Sequence, residues 1–224
     1  VRSFFRYLVR EEILSKNPTA SLILPRVEQK ISRNHLSQKE MFDFLELMDL
    51  KTITGFYDRT LFEMAYATAA RINEVLEIRL DEVNLEDGLV RITHAMGGVE
   101  RTVPLTATAK DFLKFFIERV RPVWLRGNQA EFLFPTFKGT RQLVRYVIER
   151  LAGYAKLAGL PRKISFHVFR RSCATHLLEA GVDVRLIQTL LGHEDISSTQ
   201  AYLLTTTKDL REVLIRHHPL EKKF

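Results

Sequence analysis

Residues 165–205 read SFHVFRRSCATHLLEAGVDVRLIQTLLGHEDISSTQAYLLT, and the rest of the chain is organised around them. Three features follow in order: His167-Val-Phe-Arg170, then Leu-Gly-His193, then Tyr202. His167 and Arg170 lie three apart in a stretch of helical periodicity, which projects both from one face about a turn apart. Ser165 is a natural N-cap for that helix and Gly181 a natural residue just past its end. Asp183 can cap a second, short helix that Gly192 closes. The Ser-Ser-Thr stretch before Tyr202 suits a loop or a new helix start.

An arginine, two histidines and a tyrosine have a chemistry in common. Arginine is a fixed cation whose planar fork matches phosphate oxygens two at a time. Histidine donates a hydrogen bond or moves a proton near neutral pH. The phenolic oxygen of tyrosine is a covalent nucleophile. Together these groups suit attack on a phosphodiester, with charge stabilised on the non-bridging oxygens. Taken singly each is weak evidence: an HxxR pair is commonly a solvated helix face, and a lone tyrosine is commonly packing.

Order and context add to this. HVFRRSCATHLLEAG followed by LIQTLLGHEDISSTQAYLL resembles the C-terminal signature of the tyrosine recombinases, the family of phage integrases and Xer-type resolvases. Upstream, ATAARINEVLEIRLDEV is similar to the family's first arginine box. The likeness covers about residues 36–216. It implies a mostly α (α+β) catalytic domain with a small antiparallel sheet. Tyr202 would attack the scissile phosphate and become joined to the 3′ phosphate, without ATP, metal or other cofactor. Arg71 and Arg170 would hold the non-bridging oxygens, with Glu74 as acidic companion of Arg71. His193 would add a hydrogen bond there, and His167 would handle the proton of Tyr202. The family usually has glycine just before the first arginine, where this chain has Ala70. It also usually carries a lysine in the hairpin turn, which protonates the leaving 5′ oxygen. That position falls at Met96, so His94, on the same strand face, is the candidate for the acid. Two other readings stand beside this one: a non-catalytic DNA-binding protein of the same fold, and a topoisomerase forming the same 3′ linkage.

Composition agrees with a polyanionic partner. The 224 residues carry a net charge of +7. Residues 138–171 hold nine Lys/Arg against one acidic residue, Glu149, so the basic charge is concentrated there. Double-stranded DNA is the natural partner, and Lys138, Arg141, Arg145, Arg162, Lys163 and Arg171 are the expected contacts. No apolar run approaches the ~18 residues of a membrane span. A single cysteine, Cys173, excludes an internal disulfide and fits a reducing, cytoplasmic setting.

Taken in order, Val1, Phe4, Phe5, Leu8 and Val9 form the apolar face of an amphipathic helix, expected to end at Asn17-Pro18. It resembles the last helix of a recombinase core-binding domain, truncated here. Residues 1–17 are thus one unit, 18–35 a linker and 36–224 the catalytic domain. Ser37-Gln-Lys-Glu40 is a capping box opening a helix over 36–48, and another follows over 52–68. Arg71 starts a short helix. Strands are expected over 88–93 and 101–104, around Gly97-Gly98. Thr108 is expected to cap a helix over 109–120. A basic helix is expected over 140–157, with Leu143, Val144, Val147 and Leu151 inward and Arg141, Arg145 and Arg150 outward. A last helix, over 207–216, presents Leu210, Val213 and Leu214. The family resemblance has that segment pack into a neighbouring subunit of a homo-tetramer on DNA, so deletion of residues 207–224 is expected to spare DNA binding and impair recombination.

Overall fold

The structure, a computed structural model, describes residues 2–20, 35–93, 100–160, 164–192 and 200–221, with only the backbone described for 2, 3, 200–206 and 208. The chain divides into two compact units, Val1–Ser32 and Arg33–Phe224.

In the first unit, helix α1 spans Arg2–Arg10 and stops well short of Asn17-Pro18. Two acidic residues, Glu11 and Glu12, follow at the end where the helix dipole disfavours negative charge. Glu12 takes a left-handed φ of 57°. Ile13 N–H then bonds Leu8 O (2.9 Å) and Glu12 N–H bonds Val9 O (3.2 Å), closing the helix in a Schellman turn.

The second unit is built around α3 (Ile53–Ala67). Nearly every residue of α3 is buried, so the helix forms the centre of the core rather than one side of it. Its charged residues are paired: Arg59 Nε meets Glu63 Oε2 at 2.6 Å, and Asp58 Oδ1 meets Arg150 Nη1 at 2.7 Å. Burial pushes the Asp58 carboxyl up to about 6, with Arg150 and the Tyr154 hydroxyl opposing. Arg150 therefore turns inward, contrary to its expected outward position.

Helix α2 (Gln38–Glu46) begins as its capping box requires. Glu40 N–H donates to Ser37 Oγ, and Ser37 N–H donates to Glu40 Oε2 at 2.7 Å. After α4 (Ile72–Glu77) comes an antiparallel sheet in the order β1 (Val83–Asn84), β2 (Leu89–Ile92), β3 (Arg101–Pro104). Val90 pairs with Val103 on the buried face. The hairpin turn with Met96 and His94 lies outside the described residues.

Helix α5 (Ala107–Phe115) is capped by Thr106, not Thr108. The Thr108 hydroxyl donates instead to Leu220 O at 2.6 Å. A π turn at Phe116–Val120 joins α5 to α6 (Arg121–Leu125), carrying the helical path past the expected end at 120. Helix α7 starts at Val144, four residues later than expected, and Leu143 is 51% exposed rather than inward. Val147 and Leu151 are buried as the periodicity requires. Helix α8 spans Phe166–Glu179 and α9 Val184–Leu191.

The last helix, α10, runs unbroken over Gln200–His217. Leu210 and Leu214 are buried in this chain's own core. His218 follows, fully buried beside the Tyr66 ring (centroids 5.0 Å) and 3.6 Å from Cys173 Sγ. Burial is the main reason its imidazole is depressed to about 3 and stays neutral. Leu220 and a bond from Ala107 N–H to Glu221 complete the docking. The C-terminal segment is thus seated on its own domain.

Candidate active site

Arg71 is the N-cap of α4, and Glu74 lies one turn in. The Glu74 carboxylate accepts Arg71 N–H on Oε2 and Arg71 Nη1 on Oε1, both at 2.9 Å. The turn before Arg71 is tight. Its left-handed residue is Ala69, at φ 50°, so the place that would favour glycine is Ala69 rather than Ala70.

Arg170 reaches the same turn from α8. Its Nη1 donates to Ala69 O at 2.7 Å and its Nη2 to Leu191 O at 2.5 Å. One guanidinium thereby joins the start of α4 to the end of α9. Burial first, then the cations Arg71 and Arg101, depress Arg170 to about 10, where it remains charged at neutral pH. Burial alone would raise Glu74. Bonding and charge from Arg101, followed by bonds from Arg71, outweigh it and hold the carboxyl below the usual range.

Arg101 is the residue that sequence reasoning missed. It opens β3, is 7% exposed, and donates from Nη2 to Glu74 Oε2 (2.8 Å) and from Nε to Leu190 O (2.9 Å). Its only sequence signal was position: it sits in Glu100-Arg101-Thr-Val-Pro-Leu105, at the start of the hairpin's second strand.

Gly192 ends α9 with φ 66° and ψ 50°. A Cβ there would lie 2.9 Å from Arg101 Nη1 and 3.2 Å from its Cδ and Cζ. The glycine is therefore required twice, by its backbone and by the arginine beneath it. Gly192→Ala is expected to lower unfolding free energy by about 1–2 kcal/mol from the left-handed backbone alone, with more from displacing Arg101. Urea denaturation checks this, and an unchanged midpoint would contradict it.

Of the remaining expected residues, His167 is exposed in the first turn of α8. Tyr202 lies in the first turn of α10, with its side chain outside the described residues. His193, Arg162 and Lys163 also lie outside them. Lys138, Arg145 and Arg171 are exposed. Arg145 stacks over Tyr146 (4.8 Å), and Arg141 is partly shielded against Glu77, Nε to Oε1 at 2.6 Å.

The phage integrase family profile matches residues 34–208. The tyrosine recombinase XerD of Vibrio vulnificus (strain YJ016) is 35% identical over 221 residues, covering 98% of this chain and 72% of that protein. A mycobacterium phage Brujita integrase structure superposes with TM-score 0.68 at 21% identity, covering 100% of this chain and 71% of the other. A XerH site-specific recombinase bound to difH substrate, in a pre-cleavage complex, superposes with TM-score 0.62 at 27% identity, covering 77% of this chain and 49% of the other. The superpositions show that the helical domain with its small antiparallel sheet is a fold shared with these proteins. The chain belongs to the phage integrase family, the tyrosine recombinases.

Proposed function

We propose that this chain breaks and rejoins double-stranded DNA at specific sites, with Tyr202 as the attacking group. The observation that carries the reading is the joining of Arg71 and Arg170 around one turn, through Glu74 and the Ala69 carbonyl. Two fixed forks so held present donors to the non-bridging oxygens of one phosphodiester. The Tyr202 oxygen attacks phosphorus, the bond to the 5′ oxygen breaks, and tyrosine is left esterified to the 3′ phosphate. His193 adds a donor to the same phosphate, and His167 takes up or returns the phenolic proton. The ester conserves the broken bond, so the 5′ hydroxyl of a second strand reverses the step without ATP.

The exposed cations Lys138, Arg145 and Arg171, together with Arg141, Arg162 and Lys163, would follow the DNA backbone. Such contacts position the duplex, while base contacts specify the sequence. No described helix is long and apolar enough to cross a membrane. The buried Cys173 thiol, raised to about 12 by burial, is unreactive, and the reading is a cytoplasmic one. We read the Val1–Ser32 unit as part of a DNA clamp. Exchange of the C-terminal helix within a DNA-bound homo-tetramer would first require undocking Leu210, Leu214 and Leu220 from their own core.

The leaving 5′ oxygen needs a proton, and we assign that role to His94. On a duplex whose bridging 5′ oxygen is replaced by sulfur, the leaving thiol has a pKa of about 8.5 and needs no acid. His94→Ala is expected to cleave the oxygen substrate about 100-fold more slowly and the sulfur one near the unmutated rate. Equal loss on both would move the acid elsewhere. The function itself is tested by trapping: a protein–DNA ester on a nicked duplex excludes the non-catalytic reading, and strand exchange between two duplexes excludes a topoisomerase.

A further inference from the structure

We infer that Arg101 is a positioning residue for the phosphate-binding arginines, acting through Glu74. The inference rests on the proposed strand-cleavage reading. Two arginines, Arg71 and Arg101, donate to a single carboxylate, Glu74, while Arg170, held on Ala69 O and Leu191 O, lies near enough to interact with all three charges, so the cluster carries excess positive charge. Glu74 already has Arg71 as partner, so charge balance alone does not call for a second cation. Arg101 is nonetheless buried there, and its Nη1 has no hydrogen-bond partner among the described residues. An unsatisfied buried donor of a charged group is costly, and apolar replacements of buried ion pairs are often as stable. A role in stability alone does not account for this arrangement.

The geometry supplies the role. Arg101 fixes Oε2 of Glu74, which leaves Oε1 facing Arg71 Nη1 in one orientation. Its Nε holds Leu190 O, next to Leu191 O, which Arg170 holds. Two consecutive carbonyls at the negative end of α9 are thus gripped by two arginines, three and two residues before His193. Arg101 therefore connects the hairpin strand to both sides of the phosphate site and sets the angle at which Arg71 meets its ligand. Lysine at this position keeps the charge and loses the fork, since one ammonium cannot hold Glu74 and Leu190 O in the same planar geometry.

The test begins with the Tyr202→Phe protein, used to select bound duplexes from a randomised pool. The recovered site is built into a nicked suicide duplex, and covalent adduct formed by the unmutated protein validates the cleavage reading independently of Arg101. Arg101→Lys is then compared with it on that duplex and on one whose scissile phosphate is a neutral methylphosphonate. The expected result is an adduct rate lower by about 30-fold on the phosphodiester and by less than about threefold on the methylphosphonate, with DNA affinity within about twofold. In a Glu74→Gln background, the same substitution should cost less than about threefold. Equal loss on both substrates, an undiminished loss without the Glu74 charge, or no loss at all would overturn the inference. If Arg101→Lys loses its cooperative thermal transition, Arg101→Gln, which keeps an uncharged donor, takes its place. If neither variant folds, Arg101 serves stability alone and the inference fails.

Discussion

Tyr202→Phe should abolish covalent adduct on a nicked duplex while leaving DNA affinity within about twofold. The substitution removes one oxygen and keeps the ring, so the shape of the side chain changes little. The charges expected to bind DNA are unaffected, because none of them lies on that side chain. On the proposed reading what is lost is the attacking oxygen itself, so no rearrangement of this side chain restores the rate. Enzymes with one nucleophile removed commonly fall by factors of about 10⁴ or more, which puts adduct below detection in a gel assay. An adduct surviving in this variant would place the nucleophile elsewhere. Tyr146 and Tyr154, on the basic helix α7, would be next. Tyr146 is exposed, whereas the Tyr154 hydroxyl is engaged with Asp58 Oδ2 at 3.1 Å and its phenol is raised to about 12, burial first among the causes. Tyr146 is thus the better second candidate on geometry.

Removing residues 207–224 should unfold the catalytic domain rather than leave a DNA-binding core. The family resemblance had suggested the milder outcome, and the structure gives the reason for the change. Leu210, Leu214 and Leu220 are at most 5% exposed, and His218 is fully buried. Each full leucine burial contributes roughly 1.5–3 kcal/mol. Three of them are comparable with the whole stability of a domain, roughly 5–15 kcal/mol. The truncation would also uncover Tyr66 and Cys173, which His218 covers, and leave the Thr108 hydroxyl without its acceptor, Leu220 O. Circular dichroism should show no cooperative thermal transition, or one lowered by tens of degrees. A truncated protein that melts within a few degrees of the full chain would mean that the segment adds little to this fold. The same experiment bears on assembly. If the segment exchanges between subunits on DNA, full-length protein must undock it at a cost that the neighbouring subunit's site repays.

Much of the local structure was legible. Ser37 and Glu40 announce α2 because a capping box is satisfied by four adjacent residues whatever surrounds them. Asp183 and Gly192 bracket α9 for the same reason. Arg71, Glu74 and Arg170 were legible through motif order, since the resemblance rests on whole blocks of residues. Failures came where partners are distant. Arg150 lies on α7 where periodicity leaves it outside, yet buried Asp58 on α3 draws it in. One miss was local: the Schellman turn at Glu12 ends α1 ahead of the expected stop at Asn17-Pro18.

The sequence by itself determined the fold class, the family, the helix boundaries with local caps, and the order of the site residues. These depend on neighbours within a few positions, or on motifs spelled in one stretch. Tertiary structure alone decided two things. It placed Arg101, 27 residues beyond Glu74, against the same carboxylate. It also seated the Leu210 and Leu214 stripe in the chain's own core. An apolar stripe says that a helix face avoids water, and a lone arginine says that a cation is available. Neither carries the identity of its partner, which is fixed by how distant elements pack.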